Sequence, residues 1–187
     1  MNTNLLDIAS TALYQGRTLL YPTDTIWGIG CDSANYDAVE RIYAIKERDH
    51  SKSMLVLANE KMLSSLVPPE VRALLMSPRP TTVVMPQSML LKPVATNLPA
   101  KDMTIGVRIP RHEFCQQLLN LLGRPIVSTS ANLSGEPSPQ CYEDISDEVR
   151  KRVDCSLPDD ESFHHEPVGS SRIVKLAEDG SLTIIRE

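Results

Sequence analysis

Ala38-Val39-Glu40-Arg41-Ile42-Tyr43-Ala44-Ile45-Lys46-Glu47-Arg48-Asp49-His50-Ser51-Lys52-Ser53-Met54-Leu55-Val56-Leu57-Ala58 changes hydrophobic period part-way along, and that change decides how the rest of the chain is read. Apolar residues at 38, 39, 42 and 45 keep to one face of a short helix, whereas 54–58 is a continuous apolar run of strand length. Lys46, Arg48 and Lys52 lie between the two, three cations within seven residues. Lys46 and Arg48 are two apart and splay to different sides of a helix, so gripping one anion together requires the chain to leave helical geometry there. By itself the turn reads as a helix C-terminus whose cations complement the macrodipole, with Lys52 solvated, in preference to an anion grip. The residues on either side have to choose.

Upstream, Leu5, Leu6, Ile8, Ala9, Ala12 and Leu13 fit an opening helix closed at Gly16, and 18–21 fits a short strand ended by Pro22. The segment 23–30 reads as a loop whose Gly28 and Gly30 permit tight turns, with the hydroxyls of Thr23 and Thr25 just past a strand's carboxyl end. Ligands of open α/β sheets lie there. Downstream, 59–66 and 69–76 read as helices, Pro78-Arg79-Pro80 as a break, 81–85 as a strand and 87–101 as irregular. Thr104 to Ile109 alternates, with Ile105, Val107 and Ile109 on one face and Thr104, Gly106 and Arg108 on the other. An Arg on a strand is a solvated outer residue or a rigid anion clamp, and periodicity does not choose between them.

A helix over 114–122 closes at Gly123, and the strand from Pro125 runs into Ser128-Thr129-Ser130-Ala131-Asn132. While the chain stays extended, Ser128, Ser130 and Asn132 share a face. Singly, each is as readily a turn former or cap. The segments 142–149, 153–157 and 159–167 read as helix, strand and loop, and 172–176 with 182–185 as a closing hairpin around Asp179-Gly180. The expected fold is α/β, a single domain over 1–187 built on a twisted mixed β-sheet with flanking helices.

Lys and Arg number 19 against 24 Asp and Glu, a net charge of -5, which argues against a surface built for bulk phosphate-backbone binding. Acid concentrates late in the chain and the segment 41–124 is comparatively basic, which favours a small anionic ligand. Cys31, Cys115, Cys141 and Cys155 form no C-x-x-C pair and read as reduced thiols. His164-His165-Glu166 reads as a solvated loop and no metal site is expected. With no leader pattern and no membrane-length apolar run, the expected location is cytoplasmic, with no membrane partner. Walker, H-E-x-x-H, G-x-S-x-G and G-x-G-x-x-G patterns are missing, so phosphate would be held by side-chain charge.

Tyr21-Pro22-Thr23-Asp24-Thr25 with Gly28 and Gly30, Lys46-x-Arg48 followed by Lys52, the Thr104 to Pro110 strand, and Ser128-Thr129-Ser130-Ala131-Asn132 keep one order along nearly the whole chain. That ordered set resembles the YrdC/TsaC family of threonylcarbamoyl-AMP synthases. The resemblance implies a twisted sheet around a positively charged cavity. It also implies a reaction joining L-threonine, bicarbonate and ATP into L-threonylcarbamoyladenylate with release of diphosphate. A partner transferase machinery then modifies tRNA, which this chain would meet only indirectly or transiently. Lys46 and Arg48 would be the catalytic cations, holding the triphosphate with Lys52, Thr104, Ser130, Asn132 and Ser138. Thr25, Arg108, Ser128 and Ser171 would hold threonine, Arg108 pairing with its carboxylate. Mg²⁺ would arrive with ATP, bound through phosphate oxygens and water.

Three positions depart from the family pattern. Ser77-Pro78-Arg79-Pro80 stands in place of Trp-Pro-Gly-Pro, so either the loop shifts or Arg79 adds a phosphate contact. Leu57 occupies a frequent His position, and Ser170-Ser171-Arg172 replaces Pro-Ser-Thr. The competing readings are a paralogue resembling the YciO branch, without efficient synthesis, and an RNA-binding module using the same cationic cavity. A Ser-Lys hydrolase built on Ser128 or Ser130 with Lys46 is a more distant third.

Overall fold

The computed structural model describes residues 3–50, 53–160, 163 and 169–187. Within them the chain forms β1 (Leu19–Tyr21), β2 (Gly28–Asp32), β3 (Leu55–Leu57), β4 (Thr81–Pro86), β5 (Thr104–Arg108), β6 (Ile126–Ser130), β7 (Cys155–Ser156), β8 (Arg172–Leu176) and β9 (Leu182–Arg186). These make one sheet in the order β7-β1-β2-β6-β3-β5-β4-β8-β9. The pairs β1/β7, β3/β5 and β4/β8 are parallel and the other neighbours antiparallel, so the sheet is mixed as expected. The helices are α1 (Thr3–Tyr14), α2 (Tyr36–Lys46), α3 (Pro69–Leu75), α4 (Glu113–Leu122) and α5 (Asp147–Arg152). None is long and apolar enough to cross a membrane.

The register explains why one side of this sheet is a continuous core while the middle of the other is open. Cys31, Val127, Val56, Val107, Val83 and Val174 lie side by side across six strands, all buried. All but Val174 share one contiguous core with the buried faces of α1, α2 and α4, as expected of β-branched residues on a pleated surface under helices. One residue along, the pairing runs Gly30, Ser128, Leu55, Gly106 and Val84, with Gly28 opposite Ser130. Small residues thin the opposite face where the strands meet, and space is left above them.

Three readings are corrected here. The glycines at 28 and 30 belong to β2, not to a loop. A Cβ on Gly30 would lie 2.3 Å from the Val127 carbonyl oxygen and 2.8 Å from Tyr21 Cε1, so glycine is there for close strand packing. The segment 59–66 is helical only as a 3₁₀ turn at Glu60–Met62, because Leu63 bridges Leu90 and the Ser64 N–H donates to the Met89 carbonyl. The helix expected over 142–149 starts at Asp147, where Ser146 Oγ accepts from the Val149 N–H and fixes the N-terminus.

α2 does leave helical geometry where the two cations require it. Asn35 Oδ1 caps its start on the Ala38 N–H, and Glu47 ends it in the left-handed region at φ 50°. A side chain is costly in that conformation, and the Glu47–Arg152 ion pair that accompanies it is on the surface and weak. Glu47→Gly is therefore expected to stabilise the fold by about 1 kcal/mol. Thermal unfolding checks this, with a rise in Tm of roughly 2–4 °C expected for a chain of this size.

Candidate active site

The thinned face opens into a cavity of about 330 Å³. Its floor is Gly28 of β2, Ser128 and Ser130 of β6, Leu55 of β3, Gly106 and Arg108 of β5, and Thr82 and Val84 of β4. Thr25, Arg48, Thr104, Ser138 and Ser171 stand around it. Eight residues expected from the sequence thus face one space, although they come from six separate segments.

Arg108 is 4 % exposed and its environment is built around it. Nη1 donates to Thr25 Oγ1 at 2.6 Å and Nη2 to Asp24 Oδ1 at 3.1 Å, while the other Asp24 oxygen accepts the Arg111 N–H at 3.0 Å. Thr23 Oγ1 lies 3.0 Å from Thr25 Oγ1 and donates to the Ile26 carbonyl, locking the 23–26 turn. Two of the five guanidinium N–H groups are engaged, and Nε is buried without a partner. The strand-borne Arg is therefore buried and held in place by Thr25 and Asp24, and is not a solvated outer residue. Across the cavity Ser171 Oγ lies 2.8 Å from Thr82 Oγ1, with both side chains buried.

Arg48 lines the cavity, and its Nη2 is tied to the Ser53 carbonyl at 2.9 Å. Burial lowers its pKa. Lys46 is placed differently from the expectation that it grips phosphate. It does not line the cavity and is 2 % exposed. Its Nζ donates to the Ser130 carbonyl at 2.5 Å and to the Asn132 carbonyl, with Asn132 Oδ1 at 3.1 Å and Ser130 Oγ at 3.4 Å. Burial, then the neighbouring Arg48, lowers its pKa to about 8, and Glu136 opposes them. Asn132 also departs from the expected face, because β6 ends at Ser130 and the chain then turns. Its Nδ2 donates to the Leu133 and Glu136 carbonyls. Thr104 Oγ1 donates to Asp102 Oδ1 at 2.6 Å. Lys52 and the pair His164-His165 lie outside the described residues.

Two features escaped the sequence reading. Arg186, at the end of β9 opposite Ile173, lines the cavity and donates to the Ser171 carbonyl at 2.7 Å. Trp27 forms a wall backed edge-on by Tyr142, with ring centroids 4.9 Å apart, and by Phe163 at 6.4 Å. A strand one residue longer than the one read over 182–185 was the available signal for Arg186; nothing local joins Trp27 to residues 115 and 136 positions away. Arg79 pairs with Glu187 at 2.6 Å and does not line the cavity. Leu57, at the frequent His position, is buried beside Arg108.

Cys31 and Cys115 are buried free thiols whose pKa values burial raises, so neither suits a nucleophile. Among the described residues no group of three or more His, Cys, Asp or Glu is placed to hold a metal ion. The cavity's own oxygens are hydroxyls and carbonyls.

Three arginines, Arg48, Arg108 and Arg186, and a fringe of hydroxyls line one cavity over the face of a mixed sheet, a concave polar site of small-molecule size. The chain belongs to the Sua5/YciO/YrdC family, whose model, described as telomere recombination, matches residues 11–187. It is 31 % identical over 175 residues to the threonylcarbamoyl-AMP synthase of Vibrio vulnificus, covering 89 % of this chain and 92 % of that protein. P. abyssi Sua5, solved in complex with L-threonine, superposes with a TM-score of 0.82 at 28 % identity over 97 % of this chain. The match spans 53 % of that longer protein, so this chain corresponds to about half of it. E. coli YciO superposes with a TM-score of 0.78 at 25 % identity, over the whole of this chain and 90 % of that one.

Proposed function

We propose that the chain is a threonylcarbamoyl-AMP synthase that forms L-threonylcarbamoyladenylate and diphosphate from L-threonine, bicarbonate and ATP. The observation that carries this reading is the buried, hydroxyl-flanked Arg108 clamp set in the same cavity as Arg48. An amino-acid carboxylate suits the first and a triphosphate the second. Threonine would lie over Arg108, Thr25, Ser128 and Ser171, and the phosphates over Arg48, Ser130, Thr104 and Ser138, with Arg186 adding a cation the sequence did not announce.

The chemistry asks little covalent work of the protein. Threonine's amine and bicarbonate condense to a carbamate with loss of water, and one of the carbamate's oxygens then attacks the α-phosphorus while diphosphate leaves. The residues' task is to align the two substrates and offset the charge. Mg²⁺ would come with the nucleotide and supply further charge neutralisation; the donors present are hydroxyls and carbonyls, which leaves its coordination to phosphate oxygens and water. The product would pass to the transferase machinery that modifies tRNA.

Diphosphate release from ATP and bicarbonate, with and without L-threonine, tests the reading. Threonine-dependent release is expected from the wild type. In Arg48→Met the loss of charge-assisted bonds to phosphate should raise the KM for ATP by about tenfold or more. ATP binding by calorimetry with no release at any threonine concentration would refute the synthase and leave a YciO-like chain.

A further inference from the structure

Arg48 reaches the cavity, whereas Lys46, two residues earlier, turns away from it. We propose that Lys46 is a positioning residue: its ammonium fixes the turn after β6, and through Ser130 and Asn132 it shapes one wall of the cavity without touching the phosphates. What that wall holds rests on the synthase reading, but the fastening does not.

The geometry is two-sided. An ammonium has three N–H groups, and four oxygens of Ser130 and Asn132 surround this one. The Lys46 main chain adds a further tie, since its carbonyl accepts the Ser134 N–H at 2.9 Å. Side chain and backbone together bracket residues 130–134. From there the restraint spreads: the Ala131 N–H donates to the Trp27 carbonyl at 3.0 Å, and Asn132 Nδ2 holds the Leu133 and Glu136 carbonyls. Among the described residues no carboxylate lies within ion-pair distance of Lys46, so its partners are the carbonyls and side-chain oxygens of this turn. Swinging the amine into the cavity would strip donors from two main-chain carbonyls, which costs more than one new phosphate contact returns. The left-handed Glu47 completes the division of labour, sending Lys46 beneath the wall and Arg48 into the space.

Reductive methylation of the wild type followed by mass spectrometry tests the fastening directly, with inorganic tripolyphosphate as probe. Lys46 should stay unmodified with and without tripolyphosphate while exposed Lys61, Lys92 and Lys101 label. Modification of Lys46 in the free protein, protected by tripolyphosphate or not, overturns the proposal. A second arm uses Lys46→Met. Tripolyphosphate affinity should stay within about threefold of wild type, against a loss of about tenfold or more in Arg48→Met. Its kcat for diphosphate release should fall about a hundredfold with little change in the KM for L-threonine, and adding Asn132→Ala should cost nothing further. Loss of tripolyphosphate affinity equal to that of Arg48→Met, or an unchanged kcat, overturns it. Should Lys46→Met not fold, the labelling decides alone. A wild type without diphosphate release refutes the synthase reading and leaves the labelling result standing.

Discussion

Arg108→Met is expected to abolish threonine-dependent diphosphate release, with the KM for L-threonine raised at least a hundredfold where any turnover can be measured. Two charge-assisted bonds to a carboxylate contribute roughly 1.5–3 kcal/mol each, and the guanidinium that would make them is already held in place by Thr25 and Asp24. The same substitution leaves Asp24, whose side chain is 13 % exposed, facing an apolar Met. Breaking a buried ion pair from one side costs about 3–5 kcal/mol, so lost activity could reflect unfolding alone. Adding Asp24→Asn separates the two effects. The double variant should recover most of the thermal stability and none of the threonine response, because the unpaired charge is gone and the clamp is still missing. Recovery of threonine-dependent turnover in the double variant would sink the assignment of Arg108 to the carboxylate. Arg108→Lys should fail almost as badly, since an ammonium cannot hold Thr25, Asp24 and a ligand carboxylate with the planar fork of arginine.

The second large effect falls on stability. Gly30→Ala should destabilise the fold by about 3 kcal/mol or more, lowering Tm by roughly 10 °C in a thermal melt. Its new Cβ would meet the Val127 carbonyl oxygen and the Tyr21 ring at separations that no rotamer change relieves, because one of the two obstacles is the backbone of the neighbouring strand. Gly28→Ala is the control. There the nearest atoms are Ser128 Oγ and the Thr129 carbonyl, both at 3.3 Å, so the neighbours must give only slightly. A melt showing equal losses for the two would mean that the close approach at residue 30 is not what glycine serves.

The sequence made the alternating strand at Thr104–Arg108 legible, because its period is local and Arg108 interrupts an otherwise small or apolar face. The shared face of Ser128 and Ser130 was legible for the same reason. It failed where long-range packing overrides local preference. Gly28 and Gly30 carry a loop signal, and only the nearness of β1 and β6 makes them strand residues. The turn at 59–66 could have been helical but for its bridge to Leu90. Lys46 and Arg48 look equivalent in a motif, and a single left-handed residue between them sends one under the wall and the other into the space. Arg186 was hidden because its importance depends on which strand β9 lies against, which no local pattern states.

The bare face of the sheet has a further meaning. Sheets in small proteins are ordinarily covered on the side they bury, and here the middle of one side carries mostly glycine, serine and threonine beside Leu55, Val84 and Arg108, with no helix among the described residues lining the cavity above it. The molecule is in effect a sandwich short of part of one slice, with a cavity of about 330 Å³ where the rest would lie. Recognition is then a continuation of folding: the contacts that would choose the ligand are those that finish the protein's interior.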